Sequence, residues 1–264
     1  MINRKLFLAG LWTLFLTSSL AMAQSAFEGT WKIDMSSVQF PKKPDVFSLN
    51  NGMYECKSCV PPFSVKADGT DQKVTGHPYF DTFSMKVVDD HNVESTTKRG
   101  GKVVGTEKDS ISEDGNTLTG NWTDSGEPSG GTQTGSYTAK RVAKGAAGAH
   151  AISGSWRTEK ADSPGDVLTW TYKVNGNELT MTNPTGQSYT AKLDGTDAPF
   201  KGDPGTTSVS VKMSGKDTLE ETDKRDGKTI GISRMTVAAD GKTAKFVYED
   251  KLHGTSTSGN AMKQ

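Results

Sequence analysis

An internal duplication constrains this 264-residue chain more than any other feature of its sequence. Residues 68–124 align with residues 194–250 at a constant offset of 126 without a gap, and 19 of the 57 paired positions are identical. Upstream, Gly-Thr-Trp-Lys at 29–32 returns as Gly-Ser-Trp-Arg at 154–157. A repeat of this length indicates two copies of one domain rather than a solenoid of small units.

The turn signals within each copy predict an all-β protein. Asn-Gly at 175–176 and Asp-Gly at 226–227 and 240–241 favour two-residue hairpin turns, because these pairs accept the positive φ angles of a type I′ turn. Gly-Gly at 100–101 can do the same in copy one. Such signals recur about every 8–14 residues, a spacing typical of antiparallel strands.

The duplication also predicts which face of each strand is buried. Apolar residues alternate with polar ones, and the alternation keeps the same parity in both copies, as a shared core requires. The matched inward positions are Phe83, Met85 and Val87 with Val209, Val211 and Met213, then Leu118, Gly120 and Trp122 with Ala244, Phe246 and Tyr248.

Residues 1–23 have the three parts of a secretory signal peptide. Arg4 and Lys5 precede the apolar stretch Leu6–Leu20, and Ala-Met-Ala at 21–23 forms the cleavage pattern, so the mature chain is expected to begin at Gln24. Removing two of the 31 basic residues leaves 29 against 31 acidic residues, so the mature net charge is −2. We therefore expect a periplasmic or secreted protein with no nucleic-acid partner and no membrane span in the mature chain.

The repeat boundaries predict two domains. Copy one is expected at 27–142 and copy two at 152–264, with the small residues of 143–151 as a linker. Each copy is long enough for about eight strands with tight turns. Eight antiparallel strands can close into a barrel that holds either its own side chains or one small ligand.

The Gly-x-Trp motifs at 29–31 and 154–156 resemble the opening strand of lipocalin-like (calycin) β-barrels. The resemblance implies that Trp31 and Trp156 each close one end of a barrel as a core plug, with a basic residue of the last strand over the ring. Arg141 would be that residue in copy one and Lys263, a weaker stacking group, in copy two. The whole chain is also similar to uncharacterised secreted bacterial proteins with tandem units, a group from which we transfer no activity.

Cys56 and Cys59 are the only cysteines, and copy two has no counterpart. They are expected at the tip of a hairpin, where the aligned copy-two segment 183–186 is a turn. In an exported protein a disulfide is the simplest interpretation. A metal site and a thiol-redox role remain as alternatives.

The sequence indicates a non-enzymatic binding protein without a cofactor or metal ion. We expect a small, largely apolar ligand inside one or both barrels. The alternatives are an envelope module whose barrels are filled by side chains and a role for the cysteines in redox or metal chemistry. The candidate ligand-lining residues are Phe83, Met85 and Trp122 in copy one and Val209, Met213, Phe246 and Tyr248 in copy two.

Overall fold

The protein forms two antiparallel sheets, each curled into a nearly closed barrel. The computed structural model describes residues 26–264, so the predicted signal peptide at 1–23 lies outside the described residues. Within 26–264 there is no α-helix, and a single 3₁₀ helix spans Gly165–Leu168. None of the helical structure in this range combines the length and the hydropathy of a membrane-spanning helix. The prediction of an all-β fold with two tandem barrels is confirmed.

Each barrel contains ten strands within the described range of the chain. The first barrel is built from β2 (Asp45–Asn50), β3 (Met53–Cys56), β4 (Phe63–Lys66), β5 (Gln72–Lys73), β6 (Thr82–Val87), β7 (Asn92–Arg99), β8 (Lys102–Ile111), β9 (Thr117–Asp124), β10 (Gln133–Lys144) and β11 (Gly154–Asp162). The second barrel is built from β1 (Gly29–Gln39), β12 (Thr169–Asn175), β13 (Glu178–Thr182), β14 (Ser188–Lys192), β15 (Asp194–Pro199), β16 (Ser208–Met213), β17 (Thr218–Arg225), β18 (Lys228–Val237), β19 (Thr243–Asp250) and β20 (Thr255–Lys263).

The predicted count of eight strands per barrel is therefore wrong. Three short strands lie in the first half of copy one, where β3 and β4 have four residues each and β5 has two. Strands this short carry too few residues to show an alternating pattern. The predicted two-residue turns at 175–176 and 240–241 are wrong, because Asn175 is the last residue of β12 and Asp240 and Gly241 lie in the five-residue connection 238–242. Those at 100–101, between β7 and β8, and at 226–227, between β17 and β18, are present, with φ of 58° and 79° and of 50° and 77°. Both positive angles of each pair fit a type I′ turn.

The two copies exchange their first strands. In the second barrel β1 lies between β12 and β20, and Trp31 is opposite both Trp170 and Lys263. In the first barrel β11 lies between β2 and β10, and Trp156 is opposite Asp45 and Arg141. The expected barrels of 27–142 and 152–264 therefore differ from the observed ones by one exchanged strand per copy.

The connections explain how the exchange arises. Residues 40–44 join β1 to β2 and carry Pro41 and Pro44, and residues 163–168 join β11 to β12 and carry Pro164. Proline restricts itself and the preceding residue to conformations that oppose a tight hairpin. The chain therefore passes from one barrel to the other at both connections, and each first strand reaches the opposite sheet.

Residues 143–151, expected as an interdomain linker, join two neighbouring strands of the first barrel. Strand β10 continues to Lys144, and β11 follows in the same sheet. His150 lies against the barrel, where its backbone N–H donates to the Leu49 carbonyl at 3.0 Å and its Nε2 lies 2.7 Å from the Asp89 carbonyl oxygen. This segment therefore belongs to the first barrel.

The shared inward face agrees with most of the expected register. Met85, Val209, Val211 and Leu118 are buried, and each belongs to the core of its own barrel. Val87 was expected on this face but is 38% exposed, because β6 ends there and the chain turns towards β7.

Candidate functional site

The first barrel contains a cavity of about 490 Å³. Its wall is formed by inward side chains of β2, β3, β4 and β6–β10. The wall is mainly aromatic and includes Phe47, Tyr54, Phe63, Phe80, Phe83, Trp122 and Tyr137.

The rings on one side of the cavity pack against each other. Tyr54 and Phe83 stack with their centroids 5.8 Å apart and their planes at 10°. Phe63 meets Phe83 edge-on at 5.0 Å. On the opposite side, the Trp122 ring covers Gly135 of the neighbouring strand, where a Cβ atom would overlap it. These contacts hold the rings at the cavity wall.

The structure brings together the three ligand-lining residues expected in copy one, because Phe83, Met85 and Trp122 all border the cavity. Those expected in copy two lie in the second barrel. Val209 is fully buried in its core and Met213 packs against that core. Phe246 lies across Gly259 and Tyr248 across Gly231, both in neighbouring strands.

Two carboxyl groups that the sequence analysis missed also line the cavity. Glu107 and Asp109 are successive inward residues of β8. The Tyr137 hydroxyl of β10 donates to Asp109 Oδ1 at 3.0 Å and also lies near Glu107. Gly120 of β9 makes this possible, because a Cβ atom there would overlap the Tyr137 ring.

Burial makes ionisation of this pair unfavourable. Burial, and then the charge of Glu107, raises the pKa of Asp109 from its usual 3.8 to about 7. Burial also raises the pKa of Glu107, and the Tyr137 hydrogen bond opposes that rise. Burial and the two nearby carboxylates raise the pKa of Tyr137, so its hydroxyl remains a donor.

The second barrel has its own inward acids, on a different strand. Glu221 of β17 accepts hydrogen bonds from two tyrosine hydroxyls, that of Tyr172 at 2.6 Å and that of Tyr189. Burial raises the pKa of Glu221, and burial followed by the charge of Glu221 raises that of Asp223 to about 7. Here tyrosine side chains occupy the space beside the carboxylate.

The mouth of the cavity is bordered by both barrels. Gln187, Gly202, Asp203 and Pro204 of the second barrel line it together with loops of the first. The Ser129 backbone N–H donates to the Thr185 carbonyl at 3.1 Å, which joins the β9–β10 loop to the β13–β14 loop. The second barrel thus supplies part of the rim.

Both motif tryptophans are buried beneath a basic side chain, but the pairs are exchanged. The Arg141 guanidinium carbon lies 3.9 Å from the Trp156 ring centroid, and Lys263 Nζ lies 4.9 Å from that of Trp31. The expected pair of Arg141 with Trp31 is therefore wrong, because the strand exchange places Trp31 beside β20. Arg141 also donates to the carbonyls of Ser153 at 2.7 Å and Ala151 at 2.6 Å.

Cys56 and Cys59 form a disulfide at the end of β3, with their Cα atoms 5.4 Å apart. Both residues line the cavity, so the bridge is part of its wall.

A signal for the missed acids was present in the repeat. Asp109 aligns with Met235, and Asp109 shares the parity of the core residue Ile111. Glu221 likewise aligns with Ser95 and shares the parity of Leu219. Each of these acidic residues occupies a strand position whose inward neighbours are apolar, and the other copy has no acid there. This pattern indicates a buried carboxyl group.

No protein-family model matches the sequence, and no curated protein is significantly similar to it. The cavity of the first barrel is therefore the feature from which a function can be inferred.

Proposed function

We propose that this protein binds a small, largely apolar molecule inside its first barrel and acts in the periplasm or outside the cell. The cavity of about 490 Å³ carries the proposal. Cavities of about 300–1,000 Å³ with mainly aromatic walls and a few polar groups are typical of small-molecule sites. The resemblance of the Gly-x-Trp motifs to lipocalin-like barrels supports the same function.

A structural role for the second barrel accounts for its different interior. Tyr172, Tyr189 and Glu221 form a hydrogen-bonded cluster within it, and its loops border the mouth of the first barrel. The expected ligand binding and the filled-barrel alternative thus apply to different copies. The first barrel binds the ligand, and the second is a filled module that supports the site.

The test is binding of N-phenyl-1-naphthylamine, an uncharged fluorescent probe, to the mature protein. We expect saturable binding at one site per chain. Ser95 lines the cavity opposite Glu107, so Ser95→Phe should fill the cavity and weaken binding at least tenfold.

Thr119→Phe is the matched control, because Thr119 is an exposed residue of β9 in the same barrel. It should bind the probe as the wild type does. Circular dichroism and thermal unfolding confirm that both variants are folded. Equal binding by the wild type and both variants would place the probe outside the cavity and contradict the proposal.

A further inference from the structure

The carboxyl groups in the cavity have fewer hydrogen-bond donors than carboxylates require. The Tyr137 hydroxyl, the donor beside both Glu107 and Asp109, carries one proton and gives it to Asp109. Glu221 of the second barrel, by contrast, accepts from two hydroxyls. The first barrel therefore leaves acceptor capacity facing an open cavity, whereas two tyrosine side chains satisfy Glu221 in the second.

The charges around the cavity are predominantly negative. Besides the carboxyl pair, its lining includes the acidic residues Asp124, Glu127 and Asp203 and one basic residue, Arg99. Arg141 is not among the lining residues, and backbone carbonyls and the Trp156 ring hold its guanidinium. A cationic ligand group would compensate this charge.

The aromatic wall is a second and independent feature that favours a cation. The faces of tyrosine, phenylalanine and tryptophan rings carry negative potential and attract ammonium groups, more strongly where water is excluded. Tyr54 and Phe83 are 6% and 8% exposed, so their rings are well shielded from solvent. The same rings provide the apolar surface that a ligand body requires.

We propose that the ligand is a small organic cation, with an apolar body against the rings and a protonated amine against Glu107 and Asp109. This inference rests on the proposed function, since it names the class of molecule that the first barrel binds. The ammonium group donates hydrogen bonds to the carboxylates and replaces the donors that the barrel lacks.

Binding should strengthen as the pH rises. A cation favours the ionised carboxylate, so below the raised pKa of Asp109 the carboxyl group must release a proton when the amine binds. The affinity should increase up to about tenfold per pH unit between pH 5.5 and 7 and level off above. The other titratable groups facing the pair are Tyr137 on β10, Tyr54 on β3 and Asp45 on β2, with Arg99, Asp124, Glu127, Asp203 and Tyr79 at the mouth and His77 stacked on Phe80.

The experiment compares three probes that share an indole ring and differ in charge. Tryptamine, tryptophol and indole-3-propionic acid are cationic, neutral and anionic at pH 7.5, and each is titrated against protein loaded with N-phenyl-1-naphthylamine. We expect tryptamine to displace the fluorophore at a concentration at least tenfold lower than tryptophol, and indole-3-propionic acid to be weakest.

Two variants locate the effect. In Glu107→Gln/Asp109→Asn the preference for tryptamine over tryptophol should disappear, while N-phenyl-1-naphthylamine still binds. Glu94→Gln removes a carboxylate from the outer face of the adjacent strand, where it contacts Lys108 at 3.1 Å, and should keep the preference.

The outcomes separate the two proposals. If the fluorophore does not bind the wild type, both proposals fail. If it binds but tryptamine displaces it no better than tryptophol does, the cation proposal fails and the binding proposal stands. A preference that persists in Glu107→Gln/Asp109→Asn also overturns the cation proposal, because the charge would then be recognised elsewhere.

Discussion

Replacing one motif tryptophan should destabilise the barrel that is built mainly from the other copy. Trp31 belongs to copy one in sequence, yet it is fully buried in the core with Leu179, Val209 and Ala261. We therefore expect Trp31→Ala to open the second barrel and Trp156→Ala to open the first. A chain without strand exchange would show the opposite.

The magnitude follows from burial. Trp31 is 0% exposed, and truncation of a buried tryptophan to alanine costs about 3–5 kcal/mol. The Trp31 Nε1–H also donates to the Phe27 carbonyl at 2.7 Å. The substitution removes this hydrogen bond, and its loss is included in the cost of about 3–5 kcal/mol. A change of about 4 kcal/mol in the free energy of opening corresponds to about a thousandfold change in the opening equilibrium.

Hydrogen exchange measured by mass spectrometry reports the opening of each barrel peptide by peptide. In Trp31→Ala, amide protection should fall by about three orders of magnitude in 169–263, and much less in 45–144. Trp156→Ala is the matched control and should show the reverse pattern. Loss of protection in 45–144 on replacing Trp31 would refute the exchange, and equal loss in both barrels would refute their separate opening.

Three further predictions concern stability. The pKa of Asp223 is about 7 in the folded state, above its usual 3.8, so between these values the folded state keeps a proton that the unfolded state releases. The protonated carboxyl group therefore stabilises the fold fully below about pH 4, and this contribution is lost as the pH rises through 7. Asp223→Asn should therefore raise the free energy of unfolding at pH 8 by about 4 kcal/mol and change it little at pH 4, measured by urea denaturation; a larger gain at pH 4 would contradict this. Arg141→Lys should lower the free energy of unfolding by about 2 kcal/mol at pH 7, because an ammonium group cannot both stack on Trp156 and bond the carbonyls of Ser153 and Ala151. An unchanged denaturation midpoint would show that these contacts of the guanidinium contribute nothing. Replacing both cysteines by serine should cost at most about 2 kcal/mol, because the disulfide closes a four-residue loop, and unfolding of the first barrel in circular dichroism would show a larger role.

The sequence was sufficient to predict the fold class, because apolar and polar residues alternate at matching positions in both copies. Each copy therefore predicts the same buried face of each strand. It could not reveal the strand exchange, because β1 and β11 carry the same Gly-x-Trp pattern and either one satisfies the same place in a barrel. The pairing depends instead on the connections, and Pro41 and Pro44 oppose a tight turn between β1 and β2. Local alternation contains no information about which of two equivalent strands fills a position.

The candidate site was only half predictable for a different reason. Phe83, Met85 and Trp122 follow from the apolar alternation, whereas Glu107 and Asp109 occupy the same inward face against it. Burying a carboxyl group costs free energy, so acidic residues lie on the surface in most proteins. A prediction from the sequence therefore places Glu107 and Asp109 outside the barrel. Such a departure is expected where function rather than stability selects the residue.

The duplication and the exchange together explain how one barrel can carry an unfavourable interior. Each barrel depends on a strand of the other copy, so the second barrel is held beside the first by two covalent crossings rather than by a surface contact alone. This arrangement keeps Asp203 and Pro204 at the mouth of the cavity. The second copy has filled its own interior around Glu221, and its hydrogen-bonded core stabilises a frame in which Glu107 and Asp109 remain incompletely satisfied. One difference between the copies therefore underlies the proposed site: two tyrosine hydroxyls donate to Glu221 in the second barrel, whereas one tyrosine hydroxyl serves the pair of Glu107 and Asp109 in the first.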